Sequence, residues 1–222
     1  MKKWLVTNIV KHMTHLILKI DAKELEKVPA QGPIIAVTNH INFLDAPVVL
    51  THLYPCPTTS LVKKETWDNW FTGFLFNVWE GIPIDRSIAD FTAFRKAKEA
   101  LEAKKILAVA PEGTRTETGE LIRAKPGISY LAALCDSPLL PVVHYGQEAF
   151  SENIKRLKRT PMKIKVGRPF KVLVDKREKD KEIMQAVADA IMMEIASLLP
   201  EKYRGVYADG TFEREKYLTY LD

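Results

Sequence analysis

Residues 34–45 read IIAVTNHINFLD, an apolar run that ends abruptly in polar side chains. The run 34–38 is too short for a helix, is rich in β-branched residues and follows the turn signal Gln31-Gly32-Pro33. It therefore predicts a buried β-strand. Similar short runs predict further strands at residues 59–62, 82–84, 106–110, 139–143 and 162–166.

Helical patterns lie between several of these runs. Residues 90–104 place apolar side chains on one stripe after a capping-box-like Ser87-x-x-Asp90, and residues 126–135 follow a Pro-Gly start. Residues 181–199 carry apolar residues at helical spacing. Strands that alternate with helices predict a single α/β domain, in which helices flank a mostly parallel central sheet. A chain of 222 residues suits one such domain.

Three polar clusters follow predicted strands at the point where each strand ends. Residues 39–45 follow the first run, Asp85-Arg86 follows 82–84, and Pro-Glu-Gly-Thr-Arg at 111–115 follows 106–110. Because strand ends that share a direction lie along one edge of a parallel sheet, ligands bind there. We therefore expect a histidine, an aspartate, a glutamate and two arginines to converge in one crevice.

The spacing of His40 and Asp45 predicts a turn between them. On one continuous helix these side chains would point in nearly opposite directions. Asn42 and Pro47 are suited to end one element and begin a helix around 46–53, whose first turn favours an ionised Asp45. An aspartate bonded to one imidazole nitrogen leaves the other nitrogen free as a base. The alternative is an aspartate that caps the helix beside an unrelated histidine.

Read together, these clusters resemble the motifs of the glycerolipid (lysophosphatidate-type) acyltransferase family, over most of residues 34–170. Two positions depart from the family pattern: Ala110 replaces the usual aromatic residue, and Glu80 stands where many relatives have glycine. The four matching motifs, in chain order, are Asn39-His40-x4-Asp45, Gly81-Ile82-Pro83-Ile84-Asp85-Arg86, Pro111-Glu112-Gly113-Thr114-Arg115 and Leu140-Pro141-Val142.

The resemblance implies an acyltransferase of phospholipid biosynthesis. Its acceptor is the hydroxyl of a lysophospholipid such as lysophosphatidate, and its donor is acyl-CoA or the thioester of acyl carrier protein, with no further cofactor. His40 is the implied general base, oriented by Asp45, and such catalysis is typically worth about 10²–10⁴-fold. No covalent enzyme nucleophile is required, in agreement with the lack of a Gly-x-Ser-x-Gly motif.

The resemblance also implies a set of substrate-binding residues. Arg86 and Arg115 hold the acceptor phosphate through charge-assisted hydrogen bonds, and Gly113 allows close approach of the backbone. Glu112 positions the acceptor or orders the arginines; a local ion pair between Glu112 and Arg115 is the alternative. Asn39, Lys63, Thr114 and Lys125 complete the predicted set, although a lysine such as Lys63 or Lys125 is more often a solvated surface charge.

Residues 2–20 predict an amphipathic helix whose polar side carries cations and no acid before Asp21. One interpretation makes residues 1–21 a membrane-interface anchor ahead of an acyltransferase domain at 22–222. The other packs the helix on its own domain, and both remain open. The apolar stripe consists of Leu5, Ile9, Met13, Leu16 and Ile20. A second apolar set fits an acyl channel, the core or a membrane-facing surface: Phe43, Trp67, Trp70, Phe71, Phe74 and Phe76.

Composition restricts the location and the partners. The net charge of +5 suits anionic lipid and phosphate-bearing substrates, and no motif supports nucleic-acid binding. Cys56 and Cys135 have no disulfide or metal spacing, which favours a reducing compartment. With neither an apolar run of about 18 residues nor a signal peptide, we expect a peripheral or monotopic protein on the cytoplasmic face of a membrane. The sequence carries no signal of oligomeric state.

Two other functions use the same residues. A metal-dependent hydrolase could employ His40, Asp45, Glu112 and His144, but the chain lacks His-Glu-x-x-His and we expect no metal. A non-catalytic protein that binds the membrane surface could keep the fold and lose the chemistry.

Overall fold

Helices and strands alternate along the chain in the computed structural model, which describes residues 2–116, 118–210 and 212–221. The α-helices are α1 (Lys2–Ile17), α2 (Asp45–Leu53), α3 (Trp70–Val78), α4 (Phe91–Glu102), α5 (Gly127–Cys135), α6 (Phe150–Lys155) and α7 (Lys181–Leu198). The strands are β1 (Leu18–Asp21), β2 (Ile34–Val37), β3 (Thr58–Lys63), β4 (Ile82–Ile84), β5 (Ile106–Val109), β6 (Leu139–Tyr145), β7 (Thr160–Val166), β8 (Phe170–Val172) and β9 (Leu218–Tyr220).

One sheet organises the molecule, in the order β1-β7-β6-β2-β5-β3-β4. The strands from β6 to β4 along this order run parallel, whereas β7 is antiparallel to β6. Strands β8 and β9 extend from β6 by antiparallel pairing. The predicted α/β fold with a mostly parallel sheet is confirmed.

Strand β2 shows how the central sheet builds two cores. Its side chains alternate: Ile35 and Val37 pack with α4, α5 and α7, whereas Ile34 and Ala36 pack with α2 on the other face. Both faces are covered, which explains why the run is apolar at every position. Replacing fully buried Ile35 by alanine should cost about 2–5 kcal/mol, because the close-packed layers leave a cavity.

The N-terminal segment differs from its prediction at one end. The helix predicted over 2–20 stops at Ile17, and residues 18–21 form β1, which pairs in parallel with β7. Leu18 is buried and Lys19 exposed, so the strand's period of two was hidden in a pattern that also fits a helix. The first turn of α4 also differs from the capping-box prediction, because Asp90 itself accepts a 2.9 Å bond from the N–H of Ala93.

Helix α1 packs on α2 and α3 through a face that contains buried Thr7 and Thr14. The indole N–H of Trp79 donates to the Thr7 hydroxyl at 3.1 Å. This packing leaves the helical part of the apolar stripe outside, with Leu5 51% and Leu16 74% exposed, whereas Ile20 lies in β1 and packs against the core. None of the helices in the described part of the chain is long and apolar enough to cross a bilayer.

Candidate active site

The loop between β2 and α2 carries the histidine and the aspartate that the sequence paired. His40 Nδ1 lies 2.7 Å from Asp45 Oδ2, and Asp45 begins α2, so a turn does bring the two side chains together. The same Oδ2 accepts the backbone N–H groups of Ile41 at 2.7 Å and Asn42 at 3.0 Å. Three donors therefore converge on one carboxylate oxygen.

These donors keep Asp45 ionised although it is buried. Burial alone would raise the pKa of Asp45, but the electrostatic effect of the neighbouring His144 and hydrogen bonds from His40 and Gln147 hold it below its ordinary value. An ionised carboxylate only accepts, so His40 Nδ1 carries the proton and donates it. The lone pair of His40 therefore lies on Nε2, and the ring lines the main cavity.

Glu112 supports the backbone of His40 rather than facing the cavity. Its Oε1 accepts the His40 N–H at 2.8 Å and its Oε2 accepts the Ile122 N–H at 3.2 Å. The side chain is only 1% exposed, and burial raises the pKa of Glu112 to about 7. These contacts position the backbone of His40, and the contact of Glu112 with the acceptor stays a prediction. Among the described residues Glu112 forms no ion pair with Arg115.

Asn39 is likewise occupied by the protein itself. Its amide exchanges two hydrogen bonds with the backbone of His144, donating to the carbonyl at 2.8 Å and accepting the N–H at 3.0 Å. These bonds tie the end of β2 to β6. Both polar atoms of the Asn39 side chain are thus engaged, although the residue borders the cavity, and substrate binding by Asn39 stays a prediction.

The cavity has a volume of about 1570 Å³ and lies at the carboxyl ends of the parallel strands. Arg86 and Arg115 line it near His40, and Arg86 Nη1 donates to the Gly113 carbonyl at 2.6 Å. Partial burial lowers the pKa of Arg86, an effect that nearby Glu65 opposes and the charge of Arg115 reinforces. The predicted convergence at this sheet edge is found, with Glu112 behind it.

The remaining predicted residues also line the cavity. Gly113 has φ +69° and lies against the aliphatic part of Lys125, 3.0 Å from where a Cβ would stand. Thr114 is exposed at the rim, and Lys63 Nζ lies 3.9 Å from a Glu65 carboxylate in an exposed pair. Part of the predicted aromatic set lines the cavity, namely Phe43, Phe71 and Phe76. The cavity lining does not include Trp67, Trp70 and Phe74.

The sequence reasoning missed one participant and misjudged another. Gln147 donates to Asp45 Oδ1 at 3.1 Å, and His144, which had been considered only as a metal ligand, lies beside it. Both follow the apolar run 139–143, so they form a fourth polar cluster at a strand end. Within the described residues, no group of three or more His, Cys, Asp and Glu side chains has the arrangement of a metal site.

Comparisons with known proteins point to one family. The chain is 24% identical over 173 residues to the 1-acyl-sn-glycerol-3-phosphate acyltransferase of Bacillus subtilis, covering 78% of this chain and 84% of that protein. Identity is 31% over 142 residues to the enzyme of that name from Cocos nucifera and 30% over 157 residues to that from Limnanthes douglasii. These alignments cover 62% and 69% of this chain, but only 46% and 54% of the two plant proteins.

A solved structure shares the fold. The crystal structure of the 1-acyl-sn-glycerophosphate acyltransferase PlsC from Thermotoga maritima has a TM-score of 0.64 and 22% identity, covering 88% of this chain and 78% of that one. The acyltransferase family model matches residues 19–145, more than half of the chain, and this span includes His40, Asp45, Arg86 and Glu112. The chain therefore belongs to the acyltransferase family and is an acyltransferase.

Proposed function

We propose that this acyltransferase transfers a fatty acyl group from a thioester to the hydroxyl of lysophosphatidate, a step of phospholipid biosynthesis. The observation that carries the proposal is the 2.7 Å contact of His40 with Asp45 at a cavity that Arg86 and Arg115 also line. A base and a phosphate-binding pair in one cavity match an acceptor that has both a hydroxyl and a phosphate. The names of the relatives support the same acceptor.

His40 acts as the general base. Its Nε2 takes the proton of the acceptor hydroxyl while the oxygen attacks the thioester carbonyl and the new C–O bond forms. The C–S bond then breaks, and the imidazolium returns the proton to the departing thiolate. Asp45 keeps the ring in the required tautomer and stabilises its transient positive charge. No covalent acyl-enzyme is needed, because the thioester is already activated.

Arg86 and Arg115 bind the acceptor phosphate. Guanidinium groups donate paired hydrogen bonds to phosphate oxygens, and the bond from Arg86 to the Gly113 carbonyl orients one of them. Lys63 and Lys125 add positive charge at the same rim. Binding of the phosphate at this rim directs the free hydroxyl of the acceptor toward His40.

The acyl chains occupy the apolar part of the cavity. This part lies between α1, α2 and α3, where Ile17, Leu50 and Leu75 contribute to the lining. On the opposite side the cavity reaches α4, where Arg95 and Lys98 line it. Their charge favours a donor with an anionic carrier, which fits both acyl-CoA and acyl carrier protein.

Helix α1 brings the cavity to the membrane. Its outward face presents Leu5 and Leu16, and exposed Trp70 and Phe71 of α3 add aromatic surface. Such a face inserts at the boundary between headgroups and acyl chains, while lysines beside it meet anionic lipid. Helix α1 thus anchors the acyltransferase domain, which begins with β1, peripherally on the cytoplasmic face.

A panel of acceptors tests the proposal. Purified protein is mixed with palmitoyl-CoA or palmitoyl-acyl carrier protein, and the freed thiol is measured with lysophosphatidate, glycerol 3-phosphate or lysophosphatidylcholine. We expect lysophosphatidate to give the fastest release. Faster release with an acceptor that lacks a phosphate monoester would contradict the acceptor assignment. Vesicle binding without thiol release from any acceptor would instead favour a non-catalytic membrane-surface protein.

A further inference from the structure

His144 and Gln147, at the end of β6, surround the side of Asp45 that His40 does not contact. The Gln147 side-chain nitrogen lies 3.1 Å from Asp45 Oδ1 and 2.6 Å from His144 Nδ1. His144 and Gln147 are fully buried. A second imidazole thus stands behind the Asp45 carboxylate, on the far side from the proposed base.

Hydrogen counting fixes the state of this cluster. An amide nitrogen has two hydrogens, and here one goes to Asp45 and the other to His144 Nδ1. His144 Nδ1 is therefore an acceptor, and the ring is neutral with its proton on Nε2. The flipped amide would place its oxygen against the ionised carboxylate, which is electrostatically unfavourable.

Protonation of His144 is opposed from two sides. A proton on Nδ1 would face the Gln147 N–H group, donor against donor, and burial lowers the pKa of His144 although Asp45 opposes the shift. The ionisable groups around the ring are Asp45 and His40, with Glu112 beyond them. The cluster consequently holds a single negative charge, on Asp45. When His40 takes up the proton of the acceptor, it becomes the nearest cation to this carboxylate.

The carboxylate needs this support because its terminal torsion is soft. Rotation about the last bond of an aspartate is broad, so bonds to both oxygens are needed to fix the plane of the carboxylate. Oδ2 receives three donors from the loop, whereas Gln147 is the one side chain that donates to Oδ1 among the described residues. The amide of Asn42 also donates to the Gln147 backbone carbonyl at 3.0 Å, which ties the loop to the same turn.

We propose that His144 and Gln147 are positioning residues that orient Asp45, and through it His40, for proton transfer. His144 provides the acceptor that holds the Gln147 amide in place, and Gln147 provides the donor that holds the carboxylate. The kinetic part of this inference rests on the proposed function, whereas its structural part concerns only the histidine tautomers.

Two substitutions test whether His144 acts as a hydrogen-bond acceptor or only fills space. His144→Leu removes the Nδ1 acceptor, and misorientation of a catalytic group by about 1 Å can cost about 10²-fold. We expect kcat to fall by about that factor while KM for the acceptor changes little. His144→Asn keeps an acceptor near the Nδ1 position, so it should recover most of kcat. His52→Leu is the matched control, because His52 bonds to the Val48 carbonyl in α2 and faces His15.

The asparagine variant also tests the other nitrogen of the ring. His144 Nε2 is buried and has no hydrogen-bond partner in the described structure, although the ring touches the cavity. If His144→Asn is as slow as His144→Leu, the acceptor role is wrong, since Nε2 would then carry the effect. If neither variant lowers kcat, the inference also fails. Gln147→Met replaces the leucine variant should the latter not fold, and it should show the same loss.

Nitrogen NMR of the imidazoles provides a readout independent of acyl transfer. We expect His40 to carry its proton on Nδ1 both in the wild type and in His144→Asn. In the wild type we also expect His144 to carry its proton on Nε2. In His144→Leu, His40 should populate both tautomers. A His40 tautomer unchanged in His144→Leu would overturn the inference even if the enzyme were inactive with every acceptor. Inactivity of the wild type, with the tautomers as expected, would reject only the proposed function.

Discussion

The two sides of the cavity are built in opposite ways. On the base side, the Asp45 carboxylate and the amide of Asn39 are buried, and every one of their oxygen and nitrogen atoms is bonded to protein. On the rim, Arg86 and Arg115 are exposed, and the bond from Arg86 to the Gly113 carbonyl is the main tie. One side is fixed by the sheet, and the other remains free to adapt.

The difference teaches what each half of the reaction requires. Proton transfer depends on a narrow geometry, so the base is held by a buried network that costs no reorganisation at the moment of reaction. Capture of a phosphate tolerates variation in position, because a guanidinium can follow its ligand on a flexible stem. Substitutions on the base side should therefore alter kcat, and those on the rim should alter KM.

The largest effect is expected from His40→Ala. Removing the base should lower kcat by about 10²–10⁴-fold while the protein stays folded, because the side chain is not part of any of the three hydrophobic clusters that the described residues form. Thiol release at saturating lysophosphatidate measures the loss, and thermal unfolding checks the fold. His52→Ala is the matched control and should keep kcat. Comparable values of kcat for His40→Ala and the wild type would show that His40 is not the base, and would contradict the contrast between the two sides of the cavity.

Titration of Glu112, which supports the backbone of His40, should make the stability of the protein depend on pH. Burial raises its pKa to about 7 from an ordinary 4.5, so the folded state binds this proton more tightly than the unfolded chain does. The resulting stabilisation is complete below about pH 4.5 and is lost as the pH rises through 7, on the order of 3 kcal/mol. Glu112→Gln cannot titrate. From pH 5 to 8 the free energy of unfolding of the wild type should therefore fall relative to that of Glu112→Gln. A difference between the two proteins that stays constant with pH would contradict the raised pKa of Glu112.

The rim arginines should show the converse pattern. Arg86→Ala and Arg115→Ala should each raise KM for lysophosphatidate about tenfold, the loss of one charge-assisted contact, with kcat nearly unchanged. Steady-state kinetics with varied acceptor provide the measurement. Arg156→Ala is the control, since Arg156 is exposed and neither it nor its neighbours along the chain line the cavity. An unchanged KM in both rim variants would show that the phosphate binds elsewhere.

The smallest expected effect concerns α1, which lies farther from the chemistry. Leu5→Glu should weaken binding to anionic vesicles several-fold, since it places a charge on the surface proposed to enter the membrane. Leu173→Glu is a matched control, because Leu173 is 55% exposed against 51% for Leu5. Sedimentation with vesicles compares the two variants. Equal losses, or none in Leu5→Glu, would remove α1 from the membrane surface.

The central sheet could be predicted from local pattern because its strands are short, apolar and bounded by turns. Strand β1 could not, since residues 18–21 continue the helical spacing of α1 and only pairing with β7 decides between the two periods. Helix α3 was missed for a related reason. Residues 70–78 are aromatic and apolar on most sides, so they lack the polar face that would reveal a helix.

Motifs predicted which residues gather at the site but not which atoms they contact. Glu112 and Asn39 were assigned to substrate, yet their oxygens meet backbone N–H groups that belong to His40, Ile122 and His144. Those contacts depend on the position of Ile122 beside Glu112 and on the pairing of β2 with β6, which no local pattern encodes. Gln147 escaped notice because it acts through a carboxylate whose orientation only the folded chain defines.

A double-mutant cycle on Asp45 and His40 tests the central claim most directly. Acyl transfer from palmitoyl-CoA to lysophosphatidate is measured for the wild type, Asp45→Asn, His40→Ala and the double variant. If Asp45 acts by orienting the base, the double variant should be no slower than His40→Ala alone, because nothing remains to be oriented. Losses that multiply in the double variant would show that the two side chains act independently, and would contradict the account.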